Sequence, residues 1–190
     1  MAVTGAHLFG QTGKGRFMVG SATSIMYNSN SSKWKSSAGG SDGSRSSQFI
    51  FYPSAGYFPF KNFAAGIGLA LSFSSSNNNE DKSTDNSHSF VPFARYYFGN
   101  MKTRPFLHAG IGFGGGHSKS EYNATTSESS YTTSSYELSG GLACFLNENI
   151  SIDFKVGFNS YTDKNEFNSV KYTNTENTLG IGFAFNYLFF

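Results

Sequence analysis

Residues 63–74 read FAAGIGLALSFS. The odd positions carry Phe63, Ala65, Ile67, Leu69, Leu71 and Phe73, and the even ones Ala64, Gly66, Gly68, Ala70, Ser72 and Ser74. Successive side chains of a strand point to opposite faces, so this segment is a strand with one large apolar face and one face of very small residues. The pattern returns downstream. Ile150, Ile152, Phe154, Val156 and Phe158 alternate with Ser151, Asp153, Lys155, Gly157 and Asn159. Leu179, Ile181, Phe183, Phe185, Tyr187 and Phe189 alternate with Gly180, Gly182, Ala184 and Asn186.

Extending the same reading along the chain predicts eight strands, at about 15–28, 47–58, 62–75, 89–99, 104–116, 131–146, 149–160 and 176–190. Most exceed the five or six residues common in strands and reach the roughly 9–11 that cross a bilayer at a tilt. The connections alternate in length. PFKN (59–62), GNMKTR (99–104) and NEN (147–149) are short, whereas the segments after strands one, three, five and seven are long and polar. Short turns on one rim and long loops on the other are the layout of a membrane barrel. An even strand number puts both termini on the short-turn side. Pro53 and Pro92 occupy equivalent places in strands two and four and predict bulges, since proline cannot donate to a ladder.

Composition agrees with lipid on one face of the sheet. Charged residues make up 14% of the 190, well below the roughly 25% of soluble domains, while aromatics reach 17% and glycine numbers 22. Mean hydropathy is only −0.33, and no run approaches the roughly 18 apolar residues of a membrane helix. The net charge of +2, with Lys33, Lys35 and Arg45 scattered in a Ser-rich stretch, argues against nucleic acid as a partner. The single cysteine, Cys144, rules out an internal disulfide and a cysteine zinc site. Residues 1–14 precede the pattern and are read as an N-terminal tail or export-signal remnant, with the barrel over 15–190.

The small-residue face decides orientation. Gly66, Gly68, Gly110, Gly112, Gly114, Gly141, Gly180 and Gly182 make a poor solvent surface but suit a narrow eight-strand lumen, just wide enough for side chains. Closure also removes the edges that lipid cannot satisfy by hydrogen bonding. The expected fold is therefore all-β: a closed, eight-stranded, antiparallel up-and-down transmembrane β-barrel.

Three segments carry a family resemblance: PSAGYF (53–58), NFAAGIGL (62–69) and the terminal FAFNYLFF (183–190). With them the chain, over 15–190, resembles the small bacterial outer-membrane barrels of the OmpA/OmpX-like type, the "outer membrane protein beta-barrel domain" group. The resemblance implies a bacterial outer-membrane location with periplasmic termini, lipid as surroundings, and delivery by the barrel assembly machinery through the C-terminal strand. The alternating register ends at Phe189, so Phe190 departs from that family's terminal aromatic by one residue.

Few charges are expected inside: Arg95, Glu137, Asp153 and Lys155, with His108 beside them. A turn at 99–104 places Arg95 opposite His108, and Asp153 falls at a similar height. Arg95, His108, Asp153 and Lys155 are expected to form a lumenal charge network, because an unpaired buried charge is costly. Phe93, Tyr97, Phe106 and Phe145 add bulk to the same lumen. Tyr57, Phe58, Tyr96, Phe98, Tyr187 and Phe189 are expected as an aromatic girdle at the periplasmic interface.

Other candidates carry less chemistry. His117, Ser118 and Glu121 bring together hydrolase residue types, but adjacent strand residues point to opposite faces and cannot form a catalytic pair. The oxygen-rich segment 77–86 lacks the ordered spacing of a calcium loop. Trp34 stands alone between two lysines, and Cys144 is expected to face lipid beside Leu142 and Leu146. No catalytic, cofactor or metal site is expected. The expected role is structural or interactive: a monomeric barrel displaying four polar loops, weakly ordered over 29–46, 76–88, 117–130 and 161–175, to an unidentified extracellular ligand. The alternatives are a small-solute or proton channel and a rim-located lipid-modifying enzyme.

Overall fold

The computed structural model describes residues 11–22, 30–36, 39–78, 81–122, 125–167 and 170–190. Among the described residues, ten strands form one antiparallel sheet: β1 (Phe17–Ala22), β2 (Asn30–Ser36), β3 (Gly39–Phe51), β4 (Pro53–Phe60), β5 (Phe63–Asn78), β6 (Asp81–Tyr97), β7 (Thr103–Tyr122), β8 (Thr125–Phe145), β9 (Ile150–Phe167) and β10 (Val170–Phe189). Eight of them close a ring, in the order β1-β4-β5-β6-β7-β8-β9-β10 and back to β1. β3 continues the line of β4 along β5, and β2 pairs with β3 outside the ring.

The register shows how the ring closes. Phe17 pairs with Tyr57, Tyr57 with Ala65, Ala65 with Ala94, Ala94 with Ala109, Ala109 with Leu138, Leu138 with Phe158, and Phe158 with Leu179. Phe17's own partner on β10 is Phe189, ten residues beyond Leu179. A climb of ten residues at ~3.3 Å each, around eight strands at ~4.8 Å spacing, tilts the strands by ~40°.

Every large residue of the apolar alternation points outward. Ile67, Leu69, Leu107, Ile111, Leu138, Leu142, Val156, Ile181 and Phe183 are all exposed. The stripe from Leu179 to Phe189 on β10 spans about 25 Å of height at that tilt, the height of a lipid-facing band. Aromatics bound it at both ends. Tyr57, Tyr96, Phe98 and Tyr187 lie exposed at the short-turn end, where Phe189 joins them by stacking on Phe17 and Tyr187. Phe49, Phe73, Phe90, Phe113, Tyr136 and Phe158 lie exposed toward the other. Phe58 is the exception to the expected girdle. It follows Tyr57 by one residue, so the period of two turns it inward, where it is fully buried 6.0 Å from Tyr97.

Three further expectations are corrected. The long connections are not irregular loops, for the strands continue into paired ribbons as far as Asn78↔Asp81, Tyr122↔Thr125 and Phe167↔Val170. Backbone pairing needs no apolar side chains, and outside lipid neither face of a ribbon must be apolar, so the alternation vanishes where the ladder does not. Residues 23–29, 37–38, 79–80, 123–124 and 168–169 of these connections lie outside the described residues.

Pro53 and Pro92 interrupt pairing without shifting its register, and the irregularity falls instead between Tyr57 and Phe60. The N-terminal boundary also moves. Gln11 and Thr12 are fully buried at the short-turn mouth, so the packed barrel begins before Gly15.

Candidate functional site

The lumen is filled in layers. At the short-turn mouth Arg104 on β7 is fully buried, donates Nη2 to Gln11 Oε1 at 2.9 Å and Nη1 to Thr12 Oγ1, and lies 4.8 Å above the Phe145 ring. Asn62, in the left-handed region at φ 67, ties the β4–β5 turn to this cap through its backbone N–H to Thr12 O at 2.8 Å. The sequence reading puts Arg104 at the junction of the 99–104 turn and the 104–116 strand and assigns it no lumenal role. Its parity with Phe106 and His108 on the same strand was the signal for an inward position.

Above the cap lies an apolar layer of Met18, Phe58, Tyr97, Phe106, Phe145 and Leu188. Phe93 belongs to the same cluster, and glycines on the neighbouring strands make room for its ring. A Cβ on Gly66 would fall within 2.6 Å of Phe93 Cζ, and one on Gly56 within 3.3 Å.

The charged residues form the next layer. Arg95 donates Nη1 to Asp153 Oδ2 at 2.5 Å and to Tyr97 Oη at 3.2 Å, and Nε to His108 Nδ1 at 3.3 Å. Asp153, with no exposed surface, also accepts from Asn186 Nδ2 at 2.9 Å and Ser151 Oγ at 3.1 Å. Lys155 donates to Glu137 Oε1 at 2.6 Å, and Glu137 also accepts from Ser139 Oγ. His108 Nε2 lies 4.0 Å from Glu137 Oε2 and links the two pairs. The four residues singled out from sequence thus meet in one layer, with Glu137 as a fifth member between His108 and Lys155. Both cations face carboxylates, the arrangement that lets buried charge persist.

Toward the long-ribbon end the inner face turns to glycines and hydroxyls. Tyr131 on β8 reaches across β7 to donate to both oxygens of Asp85 on β6, at 2.8 and 3.0 Å. Gly116 makes this possible, because a Cβ there would overlap the Tyr131 ring.

On the outer face of the ribbons His117 does meet a serine, but it is Ser130 across the β7–β8 ladder and not Ser118. His117 Nδ1 lies 3.3 Å from Ser130 Oγ, and Nε2 lies 3.8 Å from Glu128 Oε2. His117 and Glu128 are each about half exposed. Beside them Lys119 bonds Glu121 at 2.8 Å and holds that carboxyl below its ordinary value. Cys144 stands on the outer face near Thr103 Oγ1, and no cluster of metal-ligating side chains occurs among the described residues. The structure describes no side chain for Trp34 or for residues 78–81 of the oxygen-rich segment.

No protein-family model matches the chain, and no curated protein sequence matches it. Solved structures do. The translocator domain of the autotransporter NalP from Neisseria meningitidis is similar over 90% of this chain and 61% of its own, with a TM-score of 0.51 and 13% identity. The N-terminal β-barrel domain of Pseudomonas aeruginosa OprF is similar over 93% and 99%, with a TM-score of 0.43 and 14% identity. The outer membrane protein OprG from Pseudomonas aeruginosa is similar over 93% and 97%, with a TM-score of 0.47 and 11% identity. The chain spans about three-fifths of the NalP domain's length, and what it shares with that domain is the fold.

Proposed function

We propose that this chain is an integral protein of the bacterial outer membrane, a monomeric scaffold with a closed lumen that presents β-ribbons to the cell exterior. The observation that carries the proposal is the exposed apolar band, bounded by aromatic belts, around a closed ring of strands. In water such a band would drive aggregation, whereas in lipid it is the satisfied surface. Both termini then lie in the periplasm, at the short-turn end. Outer-membrane lipid surrounds the band, and the last strand is the element offered to the barrel assembly machinery. The role is interaction at the surface. Polar ribbons on a rigid scaffold are where binding is expected, while the packed lumen offers solutes no route. The test is gel mobility of detergent-folded protein before and after boiling. A shift on boiling is expected, and protein that stays soluble without detergent at unchanged mobility refutes the proposal.

One observation favours a second reading, a lipid-modifying enzyme at the rim: the His117, Ser130 and Glu128 grouping just beyond the apolar band. Against it, the ladder on both sides of β7 engages the backbone N–H groups that would have to hold an oxyanion. Phospholipid hydrolysis by the purified barrel that disappears in Ser130→Ala would establish that reading in place of the first.

A further inference from the structure

The outer face of the β6–β7 ribbon carries a groove above the apolar band. Lys82, Thr84 and Asn86 of β6 stand directly opposite Glu121, Lys119 and His117 of β7. All six share the outward parity of the exposed Phe90 and Phe113 below them. Together they line a hollow of about 200 Å³, room for one sugar ring.

The hollow is continuous with the lipid-facing band. Phe90 and Phe113 end the band on these strands, and one outward-facing pair, His88 and Gly115, separates them from the groove. A Cβ on Gly115 would come within 2.8 Å of Tyr131 O on β8, so this position stays bare. A strip of wall without a side chain thus leads from the band into the groove.

Height restricts the occupant. At the strand tilt each residue climbs ~2.5 Å along the barrel axis, which puts His117 ~10 Å and Glu121 ~20 Å above Phe113. Phospholipid headgroups reach only roughly 5–8 Å beyond the hydrocarbon core. The groove begins where such a headgroup ends.

Chemistry narrows it further. Lys119 Nζ lies 2.8 Å from Glu121 Oε1, and Lys119 pairs with Glu128 across the β7–β8 ladder. Glu128 Oε2 in turn lies 3.8 Å from His117 Nε2. Lys82 and Lys119 are balanced by Glu121 and Glu128, so the face holds no excess charge for a bare anion. Donors and acceptors alternate along it, and the Asn86 amide and Thr84 hydroxyl supply both. A sugar hydroxyl donates and accepts at once and matches such a face.

We propose that this groove binds the oligosaccharide head of a glycolipid whose acyl chains lie against the band below it. The proposal rests on the outer-membrane reading above and names the partner of one ribbon face.

The test measures binding to the whole detergent-folded protein by native mass spectrometry. The probes are rough lipopolysaccharide, which carries a core oligosaccharide, and lipid A, which lacks that core. Tighter binding of the core-bearing glycolipid is expected. Asn86→Ala with Lys119→Ala is expected to weaken it about tenfold, as loss of two hydrogen-bonding groups would. Thr175→Ala, on the exposed face of the β9–β10 ribbon, should leave it unchanged. Equal affinity for the two probes, undiminished binding by the double variant, or displacement of the glycolipid by inorganic phosphate would each overturn the site. Protein that shifts on boiling yet binds neither probe overturns the site and leaves the membrane reading standing. Protein that fails to shift loses both.

Discussion

Replacing Asp153 with alanine strips the lumen of one carboxylate that serves three donors: Arg95 Nη1 at 2.5 Å, Asn186 Nδ2 at 2.9 Å and Ser151 Oγ at 3.1 Å. Arg95 keeps its bonds to Tyr97 and His108 but loses its counter-charge at 7% exposure, where water cannot replace it. Breaking a buried pair by removing one partner costs about 3–5 kcal/mol, so Asp153→Ala is expected to lower the unfolding free energy by that amount. Arg95→Ala is expected to cost about as much, since it also gives up the contact of the guanidinium with the Phe106 ring at 4.7 Å. Residues in direct contact couple by roughly 0.5–3 kcal/mol, and the double variant should fall short of the sum by an amount in the upper half of that range. The assay is urea unfolding of the four proteins in the same lipid or detergent, followed by loss of the folded gel band and by tyrosine fluorescence. Strict additivity, or an Asp153→Ala variant within about 0.5 kcal/mol of the parent, would refute the pairing.

Ile111→Arg, in the middle of the outward band on β7, is expected to cost about 2–4 kcal/mol in lipid, while Thr132→Arg on the outer face of a ribbon should cost almost nothing; equal costs would place the lipid boundary elsewhere. Gly116→Val is expected to cost about 1–3 kcal/mol by pushing Tyr131 off Asp85, and most of that cost should vanish in a Tyr131→Ala background, as measured by the same unfolding assay. Purified monomer in planar bilayers should show no steady open conductance, because Phe58, Tyr97, Phe106 and Phe145 are stacked beneath the charged layer; stable openings on the order of a nanosiemens would contradict a filled lumen.

Barrel and lumen were legible in the sequence to different depths. The alternation of Phe63 to Ser74 named the outward face because lipid demands apolar residues at every second position for the whole crossing, and the structure exposes Ile67, Leu69 and Phe73 accordingly. Arg95, His108 and Asp153 were legible as lumenal by the same parity, and their approach followed from the length of one turn. Glu137 was legible as inward, but not as the member joining His108 to Lys155, because that depends on the β7–β8 and β8–β9 registers together. Phe58 was misplaced by composition. It stands beside Tyr57 in an aromatic cluster, and parity separates the two.

Period and turn spacing by themselves determined that the chain is an antiparallel sheet of eight crossings with its apolar face outward. Both are local properties, readable residue by residue. Only the closed structure decided what meets inside. Arg104 finds Gln11 and Thr12 more than 90 residues away in the chain, and Tyr131 crosses Gly116 to Asp85. Each such contact depends on several registers taken together, as Tyr131 and Asp85 depend on the pairing of β7 with both β6 and β8, and no single strand encodes that. The ribbons escaped the pattern for the opposite reason: beyond the lipid the backbone ladder goes on pairing, but nothing any longer requires one face to be apolar.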